Sequence, residues 1–575
     1  MDATLYEPTP RGVNESARRR RSTNTNVRCS QMRLSVSQLP TSFASTPPDL
    51  MAVVALVDEL RASLSAEATV TDSATAKLLY ARDAWPRLSL QARAGQRAIS
   101  PPDLVVHAGT VADVVEVVRA AGRHSLPVVP FGAGSGVCGA AVPIRGGVSL
   151  DTKRLLDLDL SRAADGLICV GAGWIGQRLE HELQRHGLTL GHFPSSIGCS
   201  TIGGYLATRS AGQYSTRFGK IEDMVVSLRF VDGEGQLRHT TEGQLDTTQL
   251  LVGSEGMLGV IVDAWLRVEP AATAGRLFRG YWCASVAQGL EAMRRALQAG
   301  HQPAVFRLYD PFDSFISGAR KAEEGELLLP TDLQQWPRKK APSWLPAGMS
   351  TAELKPRLVK AANELLARRP SATHWLNHLA GKAASGCLLI AGVEEASDED
   401  AALLGQALFD ELGDALEDLG PAPGQYWFAH RHDVSFKMAP ILASGMFVDT
   451  MEVSAPWHRV AALYDAVHAA VENEAFVMAH FSHAYTSGCS IYFTFAGFGA
   501  DESDCLARYD RVWKAGLSAV AAFGAATTHH HGVGLLKAPW LNHDQPGGAP
   551  LFAAARRELD PAGLLNPGKL WEVAP

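Results

Sequence analysis

The sequence predicts an α+β fold in two main domains, on three observations. At 575 residues the chain is longer than one hydrophobic core can serve. Up to about residue 270 short strand-like and helix-like runs alternate between glycine-rich turns. Beyond that point Pro and Ala replace strand residues, and longer helices alternate with strands in the pattern of an antiparallel sheet with helices on one face. No internal repeat is visible.

Taken in order, residues 1–50 are rich in Arg, Ser, Thr and Pro, lack hydrophobic periodicity and are expected to be a disordered tail. A transit peptide fits less well, because Asp2, Glu7 and Glu15 stand in it, and no apolar h-region marks a secretory signal. Met51 is an alternative start. Residues 51–94 form a helical segment, opening with MAVVALVDELRASL. In 95–270, DLVVHA predicts a strand, TVADVVEVVRAAGRHS a helix capped by Thr110, and LPVVPFGAG a second strand, a βαβ-like start. GGVSLDT, LICVGAG and MVVSLRFVDGEGQLRH predict further strands, the last turning as a hairpin at Asp232-Gly233 or Glu234-Gly235. WIGQRLEHELQRHG predicts a helix closed by Gly187. In 271–525, helices are predicted at SVAQGLEAMRRALQAG, STAELKPRLVKAANELLARRP and WHRVAALYDAVHAAVEN, with a loop before the second of them. PAVFRLYD, GCLLIAGVEE, ASGMFVDTMEVSA and CSIYFTFAGF predict strands. Residues 526–575 form a C-terminal segment that ends in a helix and a Pro-Gly tail.

Composition removes several classes of function. Fifty-three Lys and Arg against 60 Asp and Glu leave a formal charge of −7, so no nucleic-acid partner is expected. Eight scattered cysteines without a C-x-x-C pair point to a reducing compartment and no cysteine zinc site, and no H-E-x-x-H helix supports a histidine metal site, so no metal is expected. No apolar run reaches the roughly 20 residues of a membrane span. The run ARRRRS near the N-terminus leaves peripheral membrane contact open. The chain ends EVAP without a peroxisomal tripeptide, and a cytoplasmic location is expected.

Three loops carry the first chemical signal. Pro130, Phe131, Gly132, Ala133, Gly134, Ser135, Gly136 and Val137 follow a strand, and glycines there let backbone N–H groups approach an anion. The spacing departs from the Rossmann fingerprint. PSSIGCSTIGGYLATRSAG at 194–212 and LLVGSEGMLGVIVDAWL at 250–266 are the other two. Together they resemble the PCMH-type FAD-binding domain of the vanillyl-alcohol oxidase superfamily. The resemblance implies a two-subdomain FAD-binding domain over 95–270, a cap domain for substrate over 271–525, an active-site contribution from 526–575, and FAD as cofactor. It implies that Pro130 to Val137 cradle the pyrophosphate. Pro194, Ser195, Ser196, Ile197, Gly198, Cys199 and Ser200, with Thr208, Arg209, Ser210 and Ala211, would line the ribityl chain and isoalloxazine. Glu255, Gly256, Met257, Leu258, Gly259, Val260 and Ile261 would approach the adenine side.

Within that superfamily, STIGGYLATRSAGQYSTRFGKIEDMVV, SAPW at 454–457, GCSIYFTF at 488–495 and HHHGVG at 529–534 resemble the alkyldihydroxyacetonephosphate synthases. That family deprotonates an acyl-ketone phosphate, joins it to the flavin, releases the fatty acid and takes up a fatty alcohol, with no net oxidation. The resemblance implies Tyr492 as proton donor and acceptor and His529, His530 and His531 as the histidine cluster beside the flavin. It also implies a lipid or other small-molecule substrate and a homodimer. One departure is Met438, which stands where the family carries a substrate-binding arginine. Arg307, Arg431 and Lys437 are therefore the candidate substrate cations, with Arg209 a further one. Two other functions stay open: an FAD-linked oxidoreductase acting on a D-2-hydroxy acid or other alcohol, and a flavin-binding protein without catalysis.

Plainer readings stand beside these. Tyr492 has the spacing of a packed strand tyrosine, and a triple histidine can be a surface tract. His480 and His483 read as satisfied polar groups under a loop, or else as residues of the substrate cavity. A thioether from Cys199 to FAD is conceivable, but a small buried residue is the expected role.

Overall fold

The computed structural model describes residues 49–96, 101–241, 245–272, 275–316 and 386–572, with Thr373 and Asn377. The expected tail up to residue 48, and the helix predicted at 350–370 with its preceding loop, lie outside the described residues.

Runs of Val and Leu after residue 103 build the first sheet. Strands β1 (Thr69–Thr71), β2 (Leu104–His107), β3 (Val128–Phe131) and β4 (Val148–Asp151) lie in the order β1-β2-β4-β3. Strands β2, β4 and β3 are parallel, and β1 pairs antiparallel on the edge. The crossover helix Val111–Arg123 starts at Thr110, whose hydroxyl caps Asp113 while Asp113 caps it back. Its apolar face, Val114, Val117 and Val118, packs into the core beneath this sheet.

The second sheet is antiparallel, in the order β5 (Leu158–Asp159), β6 (Leu167–Gly171), β10 (Val260–Arg267), β8 (Val225–Val231), β9 (Leu237–His239). Strand β7 (Leu188–Thr189) pairs separately with β11 (Glu269–Pro270). The β8–β9 hairpin turns with Gly235 at φ 73°, so Glu234-Gly235 is the dipeptide that supplies the left-handed residue.

The third sheet has seven strands: β12 (Arg276–Cys283), β13 (Val305–Tyr309), β14 (Cys387–Glu394), β15 (Glu417–Asp418), β16 (Phe447–Pro456), β17 (Phe476–Ala484) and β18 (Gly488–Gly497). Their order is β15-β12-β14-β13-β17-β18-β16, antiparallel throughout. One face carries Leu308, Phe481, Phe493, Phe495 and Asp449 toward helices; Tyr464 of the helix Trp457–Val471 stacks on Phe493, and Tyr509 and Trp513 of the helix Glu502–Phe523 donate to Asp449. The opposite face is not bare. The helix Ala422–His430 packs there against β12, with Pro423 closing on Gly280 and Trp427 on Phe278, so helices flank both faces at that end.

Sequence periodicity does not reveal β17 or the helices Asp398–Gly413 and Glu502–Phe523. In FVMAHFSHA the inward residues of β17 include two histidines, which masks the apolar alternation. The segment 80–93 ties the first sheet to the third: Ala84 N donates to Gly136 O (2.9 Å), Trp85 Nε1 to Tyr509 (3.1 Å), and the Arg87 guanidinium to both Asp510 oxygens (2.7 and 2.8 Å). Among the described residues no helix is long and apolar enough to cross a membrane.

Candidate active site

Strand register assembles the chemistry. Tyr309, His480, Tyr492 and Glu452 lie directly opposite one another across β13, β17, β18 and β16, and directly opposed residues share a face. The His480 ring stacks on Tyr492 (centroids 4.7 Å apart), and its Nε2 pairs with Arg307 Nη2 at 2.7 Å. Because a guanidinium only donates, Nε2 of His480 accepts and the ring proton sits on Nδ1, facing Asp313 at 3.5 Å. Arg307 also lies over Tyr309, and its Nε is buried with no hydrogen bond among the described residues.

The triple histidine closes over this row. Tyr492 meets His531 edge-on (5.3 Å) and His530 in a stack (6.2 Å), while His529 and His530 face each other through their Nδ1 atoms at 3.0 Å. His529 Nε2 and His531 Nδ1 are buried without a partner among the described residues. Burial pushes His529 and His531 down to about 4 against the opposing pull of Glu452, and it pushes Tyr492 up to about 12. At neutral pH the imidazoles are therefore free bases beside an un-ionised phenol.

Two buried carboxylates hold the histidine loop in place. Glu452, fully buried on β16, accepts N–H from His529 (2.6 Å), His530 (3.4 Å) and His531 (2.8 Å), the Thr528 hydroxyl (3.0 Å) and the Lys537 ammonium (2.7 Å). Burial alone would raise its pKa; Lys537 and the surrounding donors outweigh that and bring it down to about 2. Glu255, held at φ 51°, accepts from Val533 N (2.6 Å) and Gly534 N (3.0 and 2.9 Å). The loop thus hangs between the second sheet's domain and the third sheet. Neither carboxylate's role is legible from local sequence, since both act on residues that are distant along the chain.

The cofactor loops also come together. Ser135 Oγ lies 2.8 Å from Ser200 Oγ, which donates to Ser196 Oγ at 2.7 Å, so Pro130–Val137 and Pro194–Ser200 form one seam. Gly134 adopts φ 65°. No acceptor within the described residues is paired with the amides of 133–137, a row of half-buried donors suited to a pyrophosphate. That row, the adjoining hydroxyls and the unpartnered Nδ1 of buried His192, whose Nε2 pairs with Ser210 (3.1 Å), fit a dinucleotide such as FAD. Thr208 borders Gly532 of the histidine loop, and Ala211 is buried. Gly256 packs on Pro130, while Met257, Leu258, Val260 and Ile261 turn into the cores, Gly259 closes on Phe230 and Ile197 is buried. A Cβ at Gly132 would lie 2.3 Å from Thr201 Oγ1. Overpacking of this kind costs about 1–3 kcal/mol. Gly132→Val is therefore expected to weaken FAD retention roughly tenfold to a hundredfold; flavin absorbance per protein after dialysis checks this.

Other candidates lie elsewhere. Arg209, at the left-handed end of the helix Ile202–Thr208, is engaged by the Gln249 carbonyl (2.8 Å) and Glu222 (3.6 Å), so it is not a free cation for substrate. Arg431 stacks on Phe428 (3.8 Å), with its carbonyl accepting from Gln213 (2.9 Å), beside the seam that includes Ser195. The side chain of Lys437 lies outside the described residues, and Met438 is half-buried in the helix Val434–Ala443. His480 and His483 stand on β17 and not under a loop. Cys199 is exposed in the 3-10 turn Ile197–Cys199, which corrects the expectation of a buried residue; partial desolvation still raises its thiol pKa. Among the described residues no group of three or more His, Cys, Asp or Glu is set to hold a metal.

Comparison with known proteins bears on the family and the cofactor. The FAD binding domain family matches residues 102–241, and the C-terminal domain of FAD linked oxidases matches 280–570. Alkyldihydroxyacetonephosphate synthase of Dictyostelium discoideum is 28% identical over 497 residues, covering 84% of this chain and 75% of that protein. The uncharacterized FAD-linked oxidoreductase YgcU of Escherichia coli K12 is 24% identical over 540 residues, 90% of this chain and 98% of that one. A solved structure of alkyldihydroxyacetonephosphate synthase superposes with a TM-score of 0.68 at 23% identity, covering 92% of this chain and 87% of that one. With more than half of its length matched by one family and the preceding domain by its cofactor-binding partner, this chain belongs to the FAD-linked oxidases and takes FAD as cofactor.

Proposed function

We propose that this FAD-dependent enzyme exchanges the acyl group of an acyl-dihydroxyacetonephosphate for a fatty alcohol. One observation carries the reading: a neutral phenol, Tyr492, faces His530 and His531 and stacks on His480 beside the Arg307 guanidinium. FAD supplies an electron-accepting ring when bound. The amides of 133–137 would hold its pyrophosphate, with the 194–200 and 208–211 stretches along its flavin end. The chain's own part is acid–base work and positioning. A buried imidazole, uncharged at pH 7, takes the proton next to the substrate carbonyl, Tyr492 gives or receives one at oxygen, and Arg307 holds the phosphate. The fixed Nδ1–H tautomer of His480 leaves its Nε2 to orient Arg307.

A second reading is an oxidoreductase, with a D-2-hydroxy acid as its candidate substrate; Met438 and the similarity to the FAD-linked oxidoreductase YgcU support an oxidoreductase without naming its substrate. The visible spectrum of the anaerobic yellow protein separates the two. Ether product with the flavin ending oxidised, from acyl-dihydroxyacetonephosphate and fatty alcohol, is expected. Bleaching by D-lactate with no ether product would replace this reading with the second.

A further inference from the structure

His483 stands out on three counts. It is the extra residue of a β-bulge: β17 pairs Ser482 with Ser490 and Ala484 with Cys489, leaving His483 unpaired between them. It adopts φ 51°, a left-handed conformation unusual inside a strand, and such outliers persist where the surrounding structure enforces them. The bulge re-aims its side chain toward the cluster, where the ring lies 4.6 Å from His530 and 5.4 Å from His529 between centroids. Its Nδ1 lies 2.7 Å from Ser215 Oγ, and Ser215 in turn accepts the Tyr485 hydroxyl at 3.2 Å. Ser215 is buried on the short helix Ser215–Phe218, whereas Tyr485 is half-buried beside the exposed turn residues Thr486 and Ser487.

We propose that Tyr485, Ser215 and His483 form a proton relay between the surface turn and the buried Tyr492–histidine cluster. The balance is simple. A hydronium ion in solvent gives a proton to Tyr485 as Tyr485 gives its own to Ser215; Ser215 gives its proton to His483 Nδ1, and His483 releases the Nε2 proton to a free imidazole of the cluster. One proton enters and its charge passes to the receiving imidazole; the hydronium is left as water, Tyr485, Ser215 and His483 stay neutral, and each O–H or N–H broken is matched by one formed. With Tyr485 donating to Ser215, the serine hydrogen points to Nδ1, so resting His483 is the Nε2–H tautomer. The buried cluster exchanges protons with solvent by this route; the proposal rests on the reading of that cluster as the place where protons move.

Two readouts test it in the FAD-loaded full chain. The first needs no substrate: ¹⁵N-histidine NMR at pH 7, with the His483 signals assigned by their loss in His483→Gln. Wild type is expected to show His483 as the Nε2–H tautomer, and Ser215→Ala, which removes one oxygen, to show a mixture. An Nδ1–H tautomer in wild type, or no change in Ser215→Ala, overturns the relay. The second is turnover on whichever substrate wild type accepts. Ser215→Ala is expected to slow it roughly tenfold to a hundredfold, with a larger solvent deuterium isotope effect and unchanged FAD content. Tyr485→Phe should change it in the same direction. Unchanged rate and isotope effect in both variants would overturn the relay. If wild type turns over neither acyl-dihydroxyacetonephosphate nor D-lactate, the functional reading fails, and the tautomer readout still decides the relay.

Discussion

Replacing Tyr492 by Phe is expected to lower turnover by about 10²–10⁴-fold, the usual range for a positioned acid–base group, while FAD content and folding stay as in wild type. The ring keeps its stack on His480 and its contacts with His530 and His531, so only the hydroxyl is lost. The pH profile distinguishes this from a packing defect. In wild type the bases of the cluster, held down to about 4, must be unprotonated, so the rate should fall as pH drops through about 4. On the alkaline side the phenol, pushed up to about 12, stays protonated across the working range. Tyr492→Phe should retain the acid limb, because the imidazoles are untouched, and lose rate at every pH. Steady-state rates from pH 4 to 9 would show this; unchanged turnover would remove Tyr492 from the mechanism.

Replacing Glu452 by Gln should have the largest effect on stability. The carboxylate accepts from three consecutive amides, a hydroxyl and an ammonium. An amide side chain turns one acceptor into a donor that faces other donors, and it leaves Lys537, itself buried, without a counter-charge. Breaking such a buried pair costs about 3–5 kcal/mol. Moving the histidine loop by an ångström would also reduce turnover by about 10²-fold. Pairing the change with Lys537→Met should recover most of the stability and little of the activity, because the amides still lack their acceptor. Denaturant melts and rates on wild type and the two variants test this. The linkage has a definite sign. The folded-state pKa of Glu452 is about 2, below its ordinary 4.5, so its contribution is complete above about pH 4.5 and is lost as pH falls through about 2.

What the sequence shows of this site is what lies close together in it. The glycines of 132–136, the run HHHGVG and Tyr492 in its apolar strand are local patterns, and the helix capped at Thr110 follows from neighbouring residues. Glu452 and Lys537 escape such reading because their partners are set by the register of β16 against β18 and by a loop some 80 residues away. The strand that carries His480 and His483 escapes it because their polarity hides the apolar alternation, and His483 reaches the cluster only through a bulge. Arg209 misleads for the opposite reason: a conspicuous cation in a ligand-like motif is already neutralised by Glu222 and the Gln249 carbonyl, both distant in sequence.

The suspension of the histidine loop between Glu255 and Glu452 also bears on how such a chain can be altered. Each half of the molecule contributes one anchor, so the buried imidazoles serve as a gauge of the alignment between halves. A chimaera joining the cofactor half of one relative to the cap of another would inherit both folds and still misplace these rings by whatever error the new seam introduced. Modular exchange is thereby discouraged, and the two halves are constrained to vary together at their shared boundary.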